Sequence, residues 1–477
     1  HAAPVTRWNH RSTSADQSKR CGSSNGTSGR CRLSRSRYVP RPMLTLSSRR
    51  VLVEDRLVPA AVTIEAGRIV AVSAHGEGED LGDLVLMPGL VDAHVHVNEP
   101  GRTAWEGFAS ATRAAAAGGV TTLVDMPLNS IPVTTTVRAL HEKVEAARGQ
   151  LAVDVAFWGG VVPGNTGELA PMARAGARGF KCFLCHSGID DFPRSERADL
   201  ERAMPVLRNA GRPLLVHAEL EDELLAVDGN PREYATYLHS RPKAWEDRAV
   251  AMVVELVRAT GCRAHIVHLS SSTALPIVAA AKAEGLPITA ETCPHYLCLR
   301  AEEVPDGDTT YKCAPPVRED ANRECLWRAL ADGTLDFVVS DHSPCVPALK
   351  RLDTGNFMDA WGGIASLQLG LRAVWTEARR RGHDVATVSR WMTAGPAALA
   401  GLRDRGTIAV GQRADLVVWD PEHEGPVDVA ALFHRHPLTP YRDRRLAGRV
   451  ARTWLGGERV FDGNILGPPR GVPLLQE

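Results

Sequence analysis

The sequence predicts an α/β fold: a (β/α)8 TIM-like barrel with a small β-sandwich domain built from the N- and C-terminal segments of the chain. Three observations lead there. Apolar, strand-like runs alternate with Ala- and Leu-rich helical stretches at intervals of roughly 25 to 50 residues, the pattern of repeated βα units around a parallel sheet. Short β-branched runs punctuated by glycines lie at both ends of the chain and read as small antiparallel strands. Six candidate ligands for divalent metals, His94, His96, Lys181, His217, His268 and Asp341, each close an apolar run and open a polar loop, as residues at the mouth of such a barrel do. The 477 residues are about twice the length of a minimal barrel, which leaves room for a second, smaller domain.

In chain order, residues 1–42 come first and belong to a different class of sequence. They are rich in Ser, Arg and Gly, with nine Arg or Lys against one acid, Asp16, and read as a disordered basic leader. The segment lacks the apolar stretch of a secretory signal. Its composition fits an organelle transit peptide, but the missing start methionine favours Met43 as the start of the protein. Residues 43–86 supply strands at 50–53, 61–65 and 68–72. Matching strands at 407–408, 415–419, 450–455 and 459–461 place residues 401–465 in the same small domain, and 466–477 are left as a C-terminal tail. Between them, residues 87–400 form the barrel, with strands ending near His96, Met126, Trp158, Phe183, His217, His268, Glu291 and Asp341. Helices over 108–117, 137–147, 200–209, 244–259 and 273–284 have the length and apolar spacing to cover its outside.

Basic and acidic side chains balance at 56 each. The overall field therefore favours neither nucleic acid nor a membrane surface as partner, and a small neutral or weakly charged substrate is expected. No apolar run approaches the roughly 18 residues needed to span a bilayer. Ten cysteines are scattered without a short-period framework, which in a chain of this size reads as reduced thiols and a cytoplasmic location. Cys182 and Cys185 form a CxxC, but a structural zinc site wants a second pair nearby, so these two read as core or loop thiols beside Lys181. No GxGxxG follows a predicted strand and opens a helix, which disfavours a dinucleotide-binding oxidoreductase.

In Val91-Asp92-Ala93-His94-Val95-His96-Val97, strand alternation puts Asp92, His94 and His96 on one face, so two imidazoles converge. Either could be a satisfied buried histidine; the downstream residues turn the reading towards metal. His217, after Pro213-Leu214-Leu215-Val216, and His268, after Ala264-His265-Ile266-Val267, are neutral imidazole donors of the kind zinc, manganese or cobalt accept. His265 lies an odd number of residues from His268 and is expected on the other face of the strand, as a packing or surface residue. Asp341, which follows Phe337-Val338-Val339-Ser340, is the candidate base. A carboxylate beside an activated water can take its proton and later deliver it to a leaving nitrogen; the competing role is a helix cap. Lys181, in Gly179-Phe180-Lys181-Cys182-Phe183, is costly on an apolar strand unless it loses or pairs its charge. Snorkelling or ion pairing is the ordinary answer. A deprotonated amine can instead take up carbon dioxide, and the resulting carbamate has two oxygens able to bridge two cations. The four histidines and Asp341 favour that second answer, N6-carboxylysine at position 181. Two divalent metal ions per subunit are therefore expected, zinc first, with manganese, cobalt or iron able to use the same ligands.

Longer stretches carry a family resemblance. They are Met87-Pro88-Gly89-Leu90-Val91-Asp92-Ala93-His94-Val95-His96, Glu99-Pro100-Gly101-Arg102, Trp105-Glu106-Gly107 and the Lys181 strand. Further on come Glu291-Thr292-Cys293-Pro294-His295-Tyr296, Ser340-Asp341-His342-Ser343-Pro344-Cys345 and Ala360-Trp361-Gly362-Gly363. From about residue 43 to 463 the chain resembles the cyclic amidases of the amidohydrolase superfamily, and among them the allantoinases. The resemblance implies hydrolysis of the hydantoin ring of (S)-allantoin to allantoate in purine breakdown, a carboxylated Lys181, the six residues above as ligands, and a homotetramer. Dihydroorotases carry HxHxR, whose Arg holds the substrate carboxylate; here Asn98 stands in that region instead. Dihydropyrimidinases place a Tyr five residues after the carboxylated lysine to steady the developing oxyanion. This chain has His186, which by position either takes that job or is a solvent-exposed loop residue. The family holds its ring through main-chain groups, by position near Ala314 and Gly362. Asn129 either reaches the pocket or caps a turn. A hydantoinase or dihydropyrimidinase acting on another cyclic ureide is the alternative reading. A catalytically inactive scaffold relative is the lesser one, and it expects lost ligands.

Overall fold

The computed structural model describes residues 43–221 and 228–475; the leader predicted over 1–42 lies outside them. The first strands are β1 (Leu44–Val53), β2 (Arg56–Glu65), β3 (Arg68–Ser73), β4 (Glu79–Asp80) and β5 (Val85–Pro88). β2 and β3 form a hairpin whose turn residues Ala66 and Gly67 both have positive φ, 50° and 83°, the geometry that matches the twist of a two-residue hairpin. A single glycine, Gly89, separates β5 from the first barrel strand, β6 (Leu90–Val95).

The barrel continues through β7 (Val120–Asp125), β8 (Asp154–Phe157), β9 (Gly159–Gly160), β10 (Phe180–Phe183), β11 (Leu214–His217), β12 (Ala264–Ile266), β13 (Ile288–Thr292) and β14 (Phe337–Val338). β8 and β9 are one strand interrupted at Trp158: β8 pairs with β7 and β9 with β10, all in parallel. That makes eight barrel strands, in the predicted order. The seam closes where Val95 bridges His342 and the His96 N–H donates to the His342 carbonyl at 2.8 Å. Val124, Met126, Ala156, Trp158, Leu215, Val267, Phe337 and Val339 form one buried apolar cluster with Val91 and Ala93, and the Trp158 indole N–H spends its hydrogen bond on the Ala93 carbonyl at 2.8 Å. The helices predicted over 108–117 and 137–147 are Phe108–Ala117 and Val137–Ala147. Those predicted over 200–209, 244–259 and 273–284 correspond to Arg197–Asn209, Lys243–Thr260 and Leu275–Ala283.

The chain closes with β15 (Leu416–Pro426), β16 (Arg445–Leu455), β17 (Glu458–Asp462) and β18 (Ile465–Leu466). The two ends of the chain hydrogen-bond into one nine-stranded sheet, ordered β18-β17-β16-β15-β5-β1-β2-β3 with β4 on β1. β5 and β15 make the join, antiparallel, with Met87 opposite Val417. One apolar cluster draws on both contributions, including Leu46, Val62 and Ile64 from the first and Leu416, Val418 and Trp454 from the second.

Two expectations are corrected. Residues 407–408 form no strand: Ile408 is buried in the sheet's apolar cluster without ladder hydrogen bonds, so its side chain satisfies the pattern that suggested a strand. Nor does the small domain stop at residue 465, and residues 466–475 pack against the rest of the protein. Ile465–Leu466 pairs with β17, and Pro473 bridges Val155 in parallel, with the Val155 N–H on the Val472 carbonyl and the Leu474 N–H on the Val155 carbonyl at 3.1 and 2.7 Å.

Candidate metal centre

The six predicted ligands meet at the C-terminal ends of the barrel strands, and none is more than 5% exposed. Asp341 Oδ1 lies 3.2 Å from His94 Nε2 and 3.5 Å from His96 Nε2. Lys181 Nζ is 3.0 Å from His94 Nε2, and His217 Nδ1 is 2.9 Å from His268 Nε2. Plain alternation does not produce this convergence. The β6–β7 ladder takes an extra residue on β6 between Asp92 and Val95, a bulge of the kind that re-aims side chains beside active sites. His268 and Asp341 have φ of 40° and 42°, in the left-handed region that side-chain-bearing residues seldom occupy.

That φ also corrects the reading of His265. The turn at His268 breaks the two-residue period, so parity between the two histidines carries no information about faces. His265 is fully buried, with Nε2 2.9 Å from Glu291 Oε2 and Nδ1 2.7 Å from Thr289 Oγ1. The other oxygen of Glu291 takes His94 Nδ1 at 2.5 Å and the His268 N–H at 3.3 Å. One carboxylate therefore fixes two of the candidate ligands. Glu219 does the same for His217, with Oε2 2.8 Å from Nε2, while Arg241 spans both of its oxygens at 3.0 and 2.5 Å. Burial alone would push Glu219 up; Arg241 and His217 outweigh it and hold the carboxyl below its ordinary range. Glu219, Arg241 and the orienting role of Glu291 escaped the sequence reading. Acids on otherwise apolar barrel strands, as in Ile288-Thr289-Ala290-Glu291, were the available signal.

The donor set suits cations. Carboxylates on the outer nitrogens of His94 and His217 hold the N–H there, which leaves lone pairs on His94 Nε2 and His217 Nδ1. Burial, followed by the charge of Lys181, pushes His94 and His96 well below the ordinary imidazole value; burial and then His217 do so for His268, whose Nδ1 has no hydrogen-bond partner. Burial pushes the Lys181 amine down to about 8 and Asp341 up. The ligand atoms of His94, His268 and Asp341 all lie within 4.8 Å of one another. Replacing Glu291 with Gln, which removes the carboxylate charge and leaves one acceptor oxygen where two now serve His94, His268 and His265, is expected to weaken metal affinity about 10–100-fold in a chelator competition titration. An unchanged affinity would reduce Glu291 to a packing role.

His96, Lys181, His217, His268 and Asp341 face a cavity of about 520 Å³, with Asn129, Ala314 and Gly362 also in its lining. Asn129 is 4% exposed, has φ of 68°, and leaves its Oδ1 without a partner. His186 sits in an exposed part of the lining, its imidazole 59% exposed and 3.4 Å from Asp190 Oδ1. Cys182 and Cys185 are buried free thiols. No helix of the described residues is long and apolar enough to cross a membrane.

The Amidohydrolase family pattern matches residues 85–460. The chain is 52% identical over 443 residues to an allantoinase of Streptomyces avermitilis, covering 91% of this chain and 99% of that one. It is 45% identical to an allantoinase of Arabidopsis thaliana, with 89% of each chain covered. Among solved structures, an L-hydantoinase (dihydropyrimidinase) of Arthrobacter aurescens superposes with a TM-score of 0.85 at 28% identity, covering 91% of this chain and 99% of that chain. A dihydropyrimidinase of Brevibacillus agri does so with a TM-score of 0.82 at 25% identity, covering 91% and 98%.

Proposed function

The chain belongs to the amidohydrolase family, and from that premise we propose that it is an allantoinase, opening the hydantoin ring of (S)-allantoin to give allantoate in purine degradation. The observation that carries the reading is the convergence of all six ligand side chains on one buried point beside a substrate-sized cavity. Identities of 36–52% to allantoinases of bacteria, plants and yeast, over most of the chain, support the substrate.

Lys181 is proposed to be carboxylated. Its neutral amine attacks carbon dioxide: the N–C bond forms as one C=O π bond opens onto oxygen, a proton passes from the nitrogen to water, and a neutral buried side chain becomes an anion with two oxygens. His94, His96 and Asp341 would hold one cation and His217 and His268 the other, and the carboxylated Lys181 would offer an oxygen to each. When bound, two divalent cations supply Lewis acidity that lowers the pKa of water and polarises a carbonyl. Zinc is proposed, and manganese, cobalt or iron suit the same donors. Asp341, raised by burial, is the base: it accepts the proton of the attacking water as the O–C bond forms, then returns it to the ring nitrogen as the C–N bond breaks. His186 is proposed to steady the oxyanion, and Asn129, Ala314 and Gly362 to hold the ring. A cytoplasmic homotetramer completes the proposal.

The test is allantoate release from racemic allantoin by bicarbonate-treated, metal-reconstituted protein, with hydantoin, dihydrouracil and dihydroorotate in parallel. Ring opening of allantoin above the other three is expected. A preference for hydantoin or dihydrouracil would make the protein a hydantoinase or dihydropyrimidinase instead. Silence on all four with no bound metal would leave a scaffold, against which all six ligand positions being filled already speaks.

A further inference from the structure

Two lysines lie buried beside the cavity, 5% and 8% exposed, and neither forms an ion pair among the described residues: Lys350 and Lys312. Among the described residues, the hydrogen bonds of their ammonium groups go to main-chain carbonyls. Lys350 Nζ donates to Lys312 O at 3.3 Å, to Trp361 O at 3.1 Å and to Gly363 O. Lys312 Nζ donates to Met358 O at 3.1 Å and Ala360 O at 2.6 Å, and lies over the Tyr237 ring. An ammonium has three N–H donors, and Lys350 spends them on three carbonyls of two separate chain segments. Placing a charge in the interior with carbonyls as its only acceptors is costly, so the arrangement calls for a reason beyond filling space.

The segments it joins are two parts of the cavity lining. Lys312, Cys313 and Ala314 come from one; Ala360, Trp361, Gly362 and Gly363 come from the other. They lie so close that a Cβ on Gly362 would stand 3.7 Å from the Ala314 nitrogen. The Gly363 N–H adds a hydrogen bond to Lys312 O at 2.8 Å. The second segment also abuts the loop after Asp341: a Cβ on Gly363 would fall 2.0 Å from the Ser343 carbonyl, and the Ser343 N–H donates to Ile364 O at 3.1 Å. Lys350 thus ties both lining segments together next to the chain that carries the base.

We propose that Lys350 and Lys312 are positioning residues that hold the main-chain atoms around Ala314 and Gly362 in the register that binds the cyclic ureide, setting KM and substrate selectivity and leaving metal binding alone. The proposal rests on the reading of these two positions as ring contacts. Neither lysine is assigned a part in the chemical step.

Lys350→Met and Lys312→Met, each loaded with metal, are to be assayed on racemic allantoin and on hydantoin. KM for allantoin is expected to rise about tenfold or more in Lys350→Met and less in Lys312→Met, which frees two carbonyls instead of three. Metal content should be that of the parent protein, kcat should stay within about threefold, and the kcat/KM ratio of allantoin to hydantoin should fall. Unchanged KM and ratio in both variants, or a parallel loss of metal and kcat, would overturn the proposal. If Lys350→Met does not fold, Lys312→Met decides; failure of both to fold would make the pair a stability element and overturn it as well. A parent protein that opens hydantoin but not allantoin would sink the allantoinase reading, and the same KM and kcat comparison on hydantoin would still judge the lysines.

Discussion

Lys181→Ala is expected to lose turnover by on the order of a thousandfold or more and to retain little bound metal, since removing the proposed shared ligand would remove several kcal/mol of charge stabilisation from the reacting centre. Short carboxylates such as acetate or propionate, which can occupy the vacated space, should restore part of both. The same lysine sets a pH dependence in the parent protein. Its folded-state pKa is lowered from 10.5 to about 8 by burial. The reactive neutral amine therefore grows from about a tenth of the population at pH 7 to about nine tenths at pH 9. The rate at which metal-free protein is activated by metal at fixed dissolved carbon dioxide should rise through that window. Turnover and metal content near those of the parent in Lys181→Ala would remove the carbamate from the mechanism.

Asp341→Asn is the second large effect. The amide keeps the volume and one oxygen but cannot take a proton, so kcat should fall about 10²–10⁴-fold at saturating metal while KM changes little. The two histidine nitrogens at 3.2 and 3.5 Å from Asp341 Oδ1 should keep the proposed neighbouring cation in place, which separates loss of the base from loss of the metal. A kcat within threefold of the parent, with metal content verified, would transfer the proton to another group.

What the sequence could disclose follows from which forces act locally. The helices Phe108–Ala117 and Val137–Ala147 are readable to the residue because an apolar stripe at helical spacing and a Thr136 side chain accepting the Ala139 N–H both lie inside the segment. The meeting of the six candidate ligands is readable because a polar residue that ends an apolar barrel strand stands at the mouth of the barrel, where catalytic groups gather. Ile408 misleads because burial of a side chain and participation in a ladder leave the same apolar signature. His265 misleads because two-residue parity holds only while φ stays extended, and His268 does not. Glu219, Arg241 and the orienting role of Glu291 were missed because their meaning is relational: Arg241 is 22 residues from the acid it spans, and Glu291 is 197 from His94. Nothing in the spacing of either pair announces a contact that the barrel alone creates.

The join between β5 and β15 has a consequence for how the chain is born. Met87 finds Val417 opposite it, so during synthesis the inner edge of the N-terminal strands waits while the entire barrel is translated, some tens of seconds at the usual roughly 5–20 residues per second. Through that interval a sheet edge rich in valine and leucine is open on the ribosome, a template for pairing with another nascent chain. Premature termination anywhere before β15 would leave that edge permanently uncovered. Such fragments should therefore precipitate or be captured by holding chaperones even when their barrel strands are complete.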